Sequence, residues 1–325
     1  MTTTAALPAA RGPLSAAVLD MLRDKPSDVP DLTSIDPFGD DLQLALHLCY
    51  ELHYQGLPGV DEKWEWHPGL LDLRAGLENR FEAAMRAEVD GGEDVQSELD
   101  ALLIEPADGD GVSHFLRDHG EWWQIRELFA HRSIYHLKEA DPHAWVIPRL
   151  RGRAKAALVA VEFDEFGAGR AEFVHAQLFA DLLRAAGLPD GYLSLADHVP
   201  SPMFALVNMM SLFGLHRRLR GALCGHFAAA EISTAPAAHR MDQALVRLGA
   251  PAECRFFYTE HVEADAVHEQ VMRHDVLGDL LDSEPHLAAD VVFGIQATEL
   301  LETRLGAHLL SCWREGRSSL RQPLP

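Results

Sequence analysis

The sequence has few cysteines and places none of them in a paired motif. The four thiols are Cys49, Cys224, Cys254 and Cys312, and no two of them have CxxC spacing. A disulfide framework or a zinc knuckle needs closer, repeated spacings, so we interpret the four as small buried side chains. We therefore expect no thiolate chemistry in the function.

Long hydrophobic runs are also missing. No stretch reaches the roughly 18 consecutive apolar residues that a membrane-spanning helix requires. The N-terminus has neither the positively charged start nor the apolar region of a signal peptide. These absences predict a cytoplasmic protein with no membrane partner.

Positive charge is scarce as well. The chain has 28 Lys and Arg against 50 Asp and Glu, for a formal net charge of −22. Such a surface repels phosphate backbones, so we expect no nucleic-acid partner. Histidine is abundant, with 18 residues, and becomes informative where it is spaced against carboxylates.

Alternating strand patterns are nearly absent, whereas apolar residues recur at helical spacing through most of the chain. Residues 105–111 (EPADGDG) form the clearest break. The sequence therefore predicts an all-α bundle, with an N-terminal helical section at 1–110 and a core domain at 111–325. Within the core, we predict single helices at 112–137, 202–232 and 255–281, among others.

One predicted helix carries two histidines and an acid on a single stripe. At about 100° per residue, Asp265 lies some 40° from His261, and His268 returns to within roughly 20° of it. Imidazole and carboxylate side chains together supply the nitrogen and oxygen ligands that a first-row divalent metal prefers. Taken alone, the same stripe is also compatible with a solvent-facing polar surface.

A second segment, LVAVEFDEFGAGRAEFVHAQLF at 158–179, combines three glutamates with His175 around a glycine interruption. The glycines allow a kink that turns a carboxylate and the histidine toward one point. The acids Glu162, Glu165 and Glu172 are alternatives for that carboxylate.

Two further acids stand out by their surroundings. Glu231 follows a run of small apolar residues, where a carboxylate is costly unless it is paired or bound to metal, although a helix-terminal acid is the simpler alternative. Glu139 ends a helix just before Asp141 and Pro142. By itself, it is compatible with an ordinary surface acid.

Together, these segments resemble the haem-oxygenase-like di-iron oxidases and oxygenases. That family takes iron ligands from an acid, then an acid and a histidine, then another acid, and finally a His-x3-Asp-x2-His helix. The last motif is intact at His261, Asp265 and His268, and the resemblance covers roughly residues 112–315. It implies a haem-oxygenase-like helical bundle to which residues 1–110 are an addition that assists dimer formation.

The other positions match the family in order and spacing. Glu165-x9-His175 corresponds to the acid and histidine pair, and Glu231 to the acid thirty residues before His261. Glu139, twenty-six residues before Glu165, corresponds to an extra carboxylate of members that act as N-oxygenases. Some members use a shorter acid-to-histidine spacing, so Glu165 is not separated from its alternatives. The implied metal ligands are Glu139, Glu165, His175, Glu231, His261, Asp265 and His268.

The resemblance implies a non-haem enzyme that uses two Fe ions, cycling between Fe2+ and Fe3+, with O2 as co-substrate and an external electron donor. The expected reaction is N-oxygenation, or a related oxidation, of a small amine or amino acid in specialised metabolism. Desaturation or C–C cleavage of a fatty acid or amino acid is the alternative with the same site. We also expect a homodimer.

Two other functions compete with this interpretation. A true haem oxygenase uses one proximal histidine on an early helix, and the thiamin-degrading relatives use a cysteine nucleophile with an acid. Neither needs Glu231 together with the His261, Asp265 and His268 stripe. A non-catalytic helical dimer or carrier fits the acidic surface and the N-terminal helices, but it would hold no stoichiometric iron.

Overall fold

The protein is built from α-helices. A computed structural model describes residues 7–104 and 109–325, except the side chains of 263–266, and no strand occurs in those ranges. The predicted all-α class is confirmed. The helices are α1 Pro13–Leu22, α2 Asp40–Glu51, α3 Pro68–Glu88, α4 Val95–Leu102, α5 Val112–Asp118, α6 Trp122–His136, α7 Asp141–Ala144, α8 Gly152–Glu165, α9 His175–Ala185, α10 Ser201–Leu215, α11 Arg220–Leu248, α12 Ala252–Gln270, α13 Gly278–Ser283 and α14 Ala288–Arg314.

The long helix α11 is at the centre of the bundle. It packs along α12 on one side and along α14 on the other, while α9 covers α12. A π-helical segment, Val271–Leu277, continues α12 directly and packs against α8. No helix in the described part of the chain is long and apolar enough to cross a membrane.

The N-terminal helices pack on this bundle. The helix α2 lies against α10, and α3 and α4 lie against α14. Apolar side chains from α1 through α14 belong to one buried cluster, which runs from Leu14 to Trp313. The predicted boundary at 105–111 falls partly on residues outside the description, so the division into two domains stays a prediction.

Two predicted helices have different boundaries in the structure. The helix predicted at 112–137 is divided into α5 and α6 around Gly120. The one predicted at 202–232 is divided at Arg217–Leu219, where extended backbone at His216 ends α10. After that break, α11 continues through Pro236 as far as Leu248. A proline interrupts one backbone hydrogen bond, and the packing of α11 on α12 and α14 overrides this local preference.

The contact between α11 and α14 depends on two glycines. A Cβ atom at Gly225 would lie 2.2 Å from the carbonyl oxygen of Val291, and one at Gly294 would lie 2.0 Å from that of Ala222. These distances are far below any van der Waals contact, so the helix backbones approach as closely as they do only because both positions lack a side chain.

Gly294→Ala is therefore expected to lower the free energy of unfolding by about 1–3 kcal/mol or more, because the added methyl group forces the two helices apart. The measurement is chemical denaturation followed by circular dichroism. Gly306→Ala is the matched control on α14, since its Cβ would meet Val112 Cγ2 at 3.5 Å, an ordinary contact. It should be neutral or stabilising by up to about 1 kcal/mol. Equal stability of the two variants would contradict the prediction.

Candidate metal centre

A tight reversal of the chain joins Glu165 to His175. Glu165 is the last residue of α8, and His175 is the first residue of α9. Between them, Gly167 has φ +73°, and a Cβ at that position would lie 2.6 Å from the backbone nitrogen of Val174. Glycine thus allows both the left-handed turn and the close return of the chain. As a result, His175 Nδ1 lies 2.8 Å from Glu165 Oε2.

The helix α12 supplies two buried imidazoles. His261 donates from Nδ1 to the carbonyl oxygen of Phe257 at 2.7 Å, so in the neutral ring the lone pair is on Nε2. A backbone carbonyl at one ring nitrogen is the usual way in which proteins orient a metal-binding imidazole. His268 directs Nδ1 toward Glu231 Oε2 on α11 at 3.3 Å and toward Glu165 Oε1 at 3.6 Å.

Glu139 enters the site from the turn between α6 and α7. Its Oε1 lies 2.8 Å from His136 Nδ1 and 3.6 Å from His261 Nε2. The next residue, Ala140, has φ +73°, a left-handed conformation that is unfavourable for alanine. Such strain persists only where the surrounding structure enforces it, and it is common next to functional residues.

Six of the seven predicted ligands meet in two adjoining groups, and none of the six is more than 7% exposed. Within each group, one ligand atom of every residue lies within 4.8 Å of the others. The contact between Glu165 and His175 joins the two groups. One group is Glu139, His175 and His261, and the other is Glu165, Glu231 and His268.

Three further candidate residues are Asp265, which is the seventh predicted ligand, and Glu162 and Glu172, which are the alternatives to Glu165. Asp265 lies within α12, but its side chain is outside the described residues. Glu172 is exposed and belongs to neither group. Glu162 is buried one helical turn before Glu165, and the structure puts Glu165 rather than Glu162 in the group with Glu231.

Sequence reasoning did not select two residues that border the site. His136 contacts Glu139, and Asp164 Oδ2 lies 3.3 Å from His268 Nε2. Both are next to or near predicted ligands in sequence. The Glu-x-Asp-Glu run at 162–165 in α8 contains Asp164, and the His-x-x-Glu pattern at 136–139 contains His136.

Opposite charges dominate the electrostatics of the site. Burial raises the pKa of Glu139, but the rings of His136 and His261 outweigh that effect and hold the pKa well below its usual range. Burial lowers the pKa of His268, but Glu231 and Glu165 overcome this and raise it to about 9. Burial raises the pKa of Glu231, against the opposing effect of His268. The acids therefore favour a positive charge beside them.

Two candidate ligand atoms are buried without a hydrogen-bond partner, Glu139 Oε2 and His175 Nδ1. The last of these faces a carboxylate oxygen of Glu165 at 2.8 Å without hydrogen-bond geometry. Two acceptors at that distance repel each other unless a cation or proton lies between them. Oxygen and imidazole nitrogen atoms of this kind, without thiolate, fit iron.

The two groups define a candidate metal-binding protein. Their buried carboxylates and imidazoles come from α8, α9, α11, α12 and the Glu139 turn. A family model of iron-containing redox enzymes matches residues 126–303, more than half of the chain. The chain belongs to that iron-containing redox enzyme family, and its haem-oxygenase-like all-α fold is confirmed. No curated protein matches the chain significantly.

An open depression of about 370 Å³ is lined by Leu137, two residues before Glu139, and by Val174, immediately before His175. The rest of its lining is Gln55, Ala171, Ala176, Gln177, Ala180, Asp190 and Tyr192. The depression thus adjoins the chain segments that carry Glu139 and His175.

Metal-free protein is expected to lose stability as the pH rises. His268 has a pKa raised from 6.5 to about 9. A folded-state pKa above the unfolded value gives a stabilisation that is fully present below pH 6.5 and is lost as the pH rises through 9. The free energy of unfolding, measured by denaturation with a chelator present, should therefore fall across that interval.

His268→Gln should reduce this fall. Burial, followed by the charges of Glu165 and Glu231, also raises the pKa of Glu162 to about 9. Glu162 therefore makes its own contribution to the fall in the free energy of unfolding with pH, and Glu162→Gln is the matched variant that removes it. A wild-type pH slope in His268→Gln would show that His268 does not carry the effect.

Gly167→Ala is expected to separate His175 from Glu165 and to reduce iron binding. The methyl group would meet the backbone of Val174, as well as straining a left-handed residue by about 1–2 kcal/mol. Gly187→Ala is the control, because Gly187 has φ +70° but open space around its Cβ position. Metal analysis after anaerobic Fe(II) loading should show a loss of iron in Gly167→Ala alone. Equal iron content in the two variants would contradict the prediction.

Proposed function

We propose that the protein is a non-haem di-iron oxidoreductase that uses O2. The observation that supports this most directly is the pair of adjoining groups, Glu139 with His175 and His261, and Glu165 with Glu231 and His268. The family is iron-containing, and each group offers carboxylate and imidazole ligands for one ion. Asp265 is proposed as a further ligand on the sequence motif alone.

When bound, two Fe(II) ions would supply the electrons that reduce O2. The residues of the chain would prepare the site for them. Glu165, whose two oxygens approach His175 and His268 respectively, is suited to bridging the two groups. His261 is held by Phe257 in the tautomer that directs Nε2 inward. Burial keeps bulk water away from all six side chains.

For the reaction, we propose N-oxygenation, or a related oxidation, of a small amine or amino acid. Support comes from Glu139, which lies beside His175 and His261 as the extra carboxylate that the resemblance associates with N-oxygenases. The open depression next to Leu137 and Val174 is the proposed approach for the substrate. An external electron donor is part of the proposal. A homodimer and a cytoplasmic location stay predictions.

His261→Ala is expected to lose one of two bound irons and to retain the helical fold, since the ligand set of one group is broken while the rest of the core is unchanged. Cys224→Ser should bind iron like the wild type, because Cys224 is a buried thiol whose pKa is raised to about 12 by burial. The measurement is iron content after anaerobic Fe(II) loading, with circular dichroism as the check on folding.

Oxygen uptake by the iron-loaded wild type distinguishes an enzyme from a non-catalytic helical carrier. Labelled O2 offered with a panel of amines and amino acids then identifies the reaction. Incorporation of oxygen at nitrogen is expected. Loss of hydrogen or chain shortening without incorporation at nitrogen would favour desaturation or C–C cleavage instead. Wild-type protein that takes up neither iron nor oxygen would overturn the proposal.

A further inference from the structure

A buried ion pair connects the N-terminal section to the turn that carries Glu139. Glu51 is the last residue of α2, and Lys138 immediately precedes Glu139. Lys138 Nζ donates to Glu51 Oε1, and both side chains have 0% exposure. A lysine and a glutamate seldom lie this deep unless they are paired.

Glu51 is bonded through both of its carboxylate oxygens. Tyr192 donates its hydroxyl to Oε2, while Oε1 accepts from Lys138 and lies 3.4 Å from His47 Nε2. Burial raises the pKa of Glu51, but the positive charge of Lys138 and the hydrogen bonds from Lys138 and Tyr192 outweigh that effect and lower the pKa. Glu51 is thus held as a carboxylate in one position.

Lys138 is held on a second side by an aromatic ring. Its ammonium group lies 4.0 Å from the ring centroid of Tyr54, a distance at which a cation is attracted to an aromatic face. The hydroxyl of Tyr54 is in turn 3.0 Å from Ser211 Oγ on α10. The lysine is therefore fixed by α2, by the segment after it, and by α10.

The turn around Lys138 is the strained part of the site. Lys138 bonds through its backbone N–H to Tyr135 and through its carbonyl oxygen to Asp141. Ala140, with φ +73°, lies inside this turn. Within it, the side chain of Lys138 is buried against α2, whereas that of Glu139 contacts His136 and His261. Fixing one side chain limits where the next can point.

We propose that Lys138 and Glu51 are positioning residues for Glu139, so that the N-terminal section completes the metal centre rather than only covering the bundle. The inference rests on the proposed function, because it takes Glu139 as a metal-binding carboxylate. The competing explanation is that the pair merely attaches the N-terminal helices to the core. A second ion pair tests that explanation.

Arg218 and Glu82 form this second pair. Glu82 is in α3 of the N-terminal section, and Arg218 is in the turn before α11. This second ion pair therefore joins the N-terminal section to the core through elements other than the Glu139 turn. Arg218 is 52% exposed, so this pair is the less buried of the two, and its removal tests whether loss of any ion pair between the two parts of the chain disturbs the metal centre.

The test removes both charges together, as Glu51→Leu with Lys138→Met, so that no lone charge stays buried. Co(II) titration, followed by the visible absorption of the bound ion, reports both the number of ions and their ligand surroundings. We expect the weaker of the two bound ions to lose affinity by about 10-fold or more, the usual consequence of removing a residue that orients a metal ligand. Arg218→Met with Glu82→Leu should leave the titration unchanged.

A double-mutant cycle with Glu139→Gln identifies the route of the effect. If the ion pair acts through Glu139, its removal causes no further loss of Co(II) affinity once Glu139 has been changed. The same loss in both backgrounds, or no loss in the wild-type background, would overturn the inference. If the charge-free variant does not fold by circular dichroism, Glu51→Gln with Lys138→Met, which also leaves no lone charge but keeps the shape and one acceptor oxygen at residue 51, serves in the same cycle.

Three possible results separate failure of this inference from failure of the proposed function. Wild-type protein that binds no Co(II) would overturn the metal centre itself. Wild-type binding of two ions that is unaffected by Glu139→Gln would remove Glu139 from the ligands, and with it the role of the ion pair. Two-ion binding that is weakened by Glu139→Gln but not by loss of the pair would overturn the positioning role alone.

Discussion

The buried acids and imidazoles of the metal centre impose the strongest constraint on this protein. Carboxylates removed from water without enough donors are unstable, and here Glu165 and Glu231 also repel each other. His268 balances part of that charge, which is why its pKa rises to about 9. Glu139 Oε2 is buried without a hydrogen-bond partner. A cation is the natural complement of such a site, and folding of the metal-free chain proceeds against this electrostatic cost.

The rest of the architecture brings these groups together. Close packing of α11 on α14 at Gly225 and Gly294 fixes the helix that carries Glu231. The reversal at Gly167 returns His175 to Glu165. The π segment follows α12 directly after the two imidazoles and packs against α8. Wide helical turns of this kind are frequent at functional sites, and here one lies where α12 and α8 meet.

The N-terminal helices contribute more than a covering layer in this arrangement. They share the apolar cluster of the bundle, and Glu51 reaches the turn beside Glu139. The open depression is lined by Tyr192, which bonds to Glu51, and by Leu137, which precedes Lys138. The proposed substrate approach, the ion pair and the candidate ligand Glu139 are therefore neighbours. This proximity gives the N-terminal section a physical connection to the chemistry that we propose.

The sequence by itself determined the helical class, through apolar periodicity, and the family, through the order of acids and histidines. It predicted that His261 and His268 share one face of α12, because side chains seven positions apart on one helix share a face whatever surrounds them. Only the tertiary structure separated Glu165 from Glu162 and Glu172, since both the turn at Gly167 and the packing on α11 decide which carboxylate faces Glu231. Only the tertiary structure, too, showed that α11 continues through Pro236 and that Lys138 pairs with Glu51. Contacts between residues that are distant in sequence produce no periodic pattern from which they could be predicted.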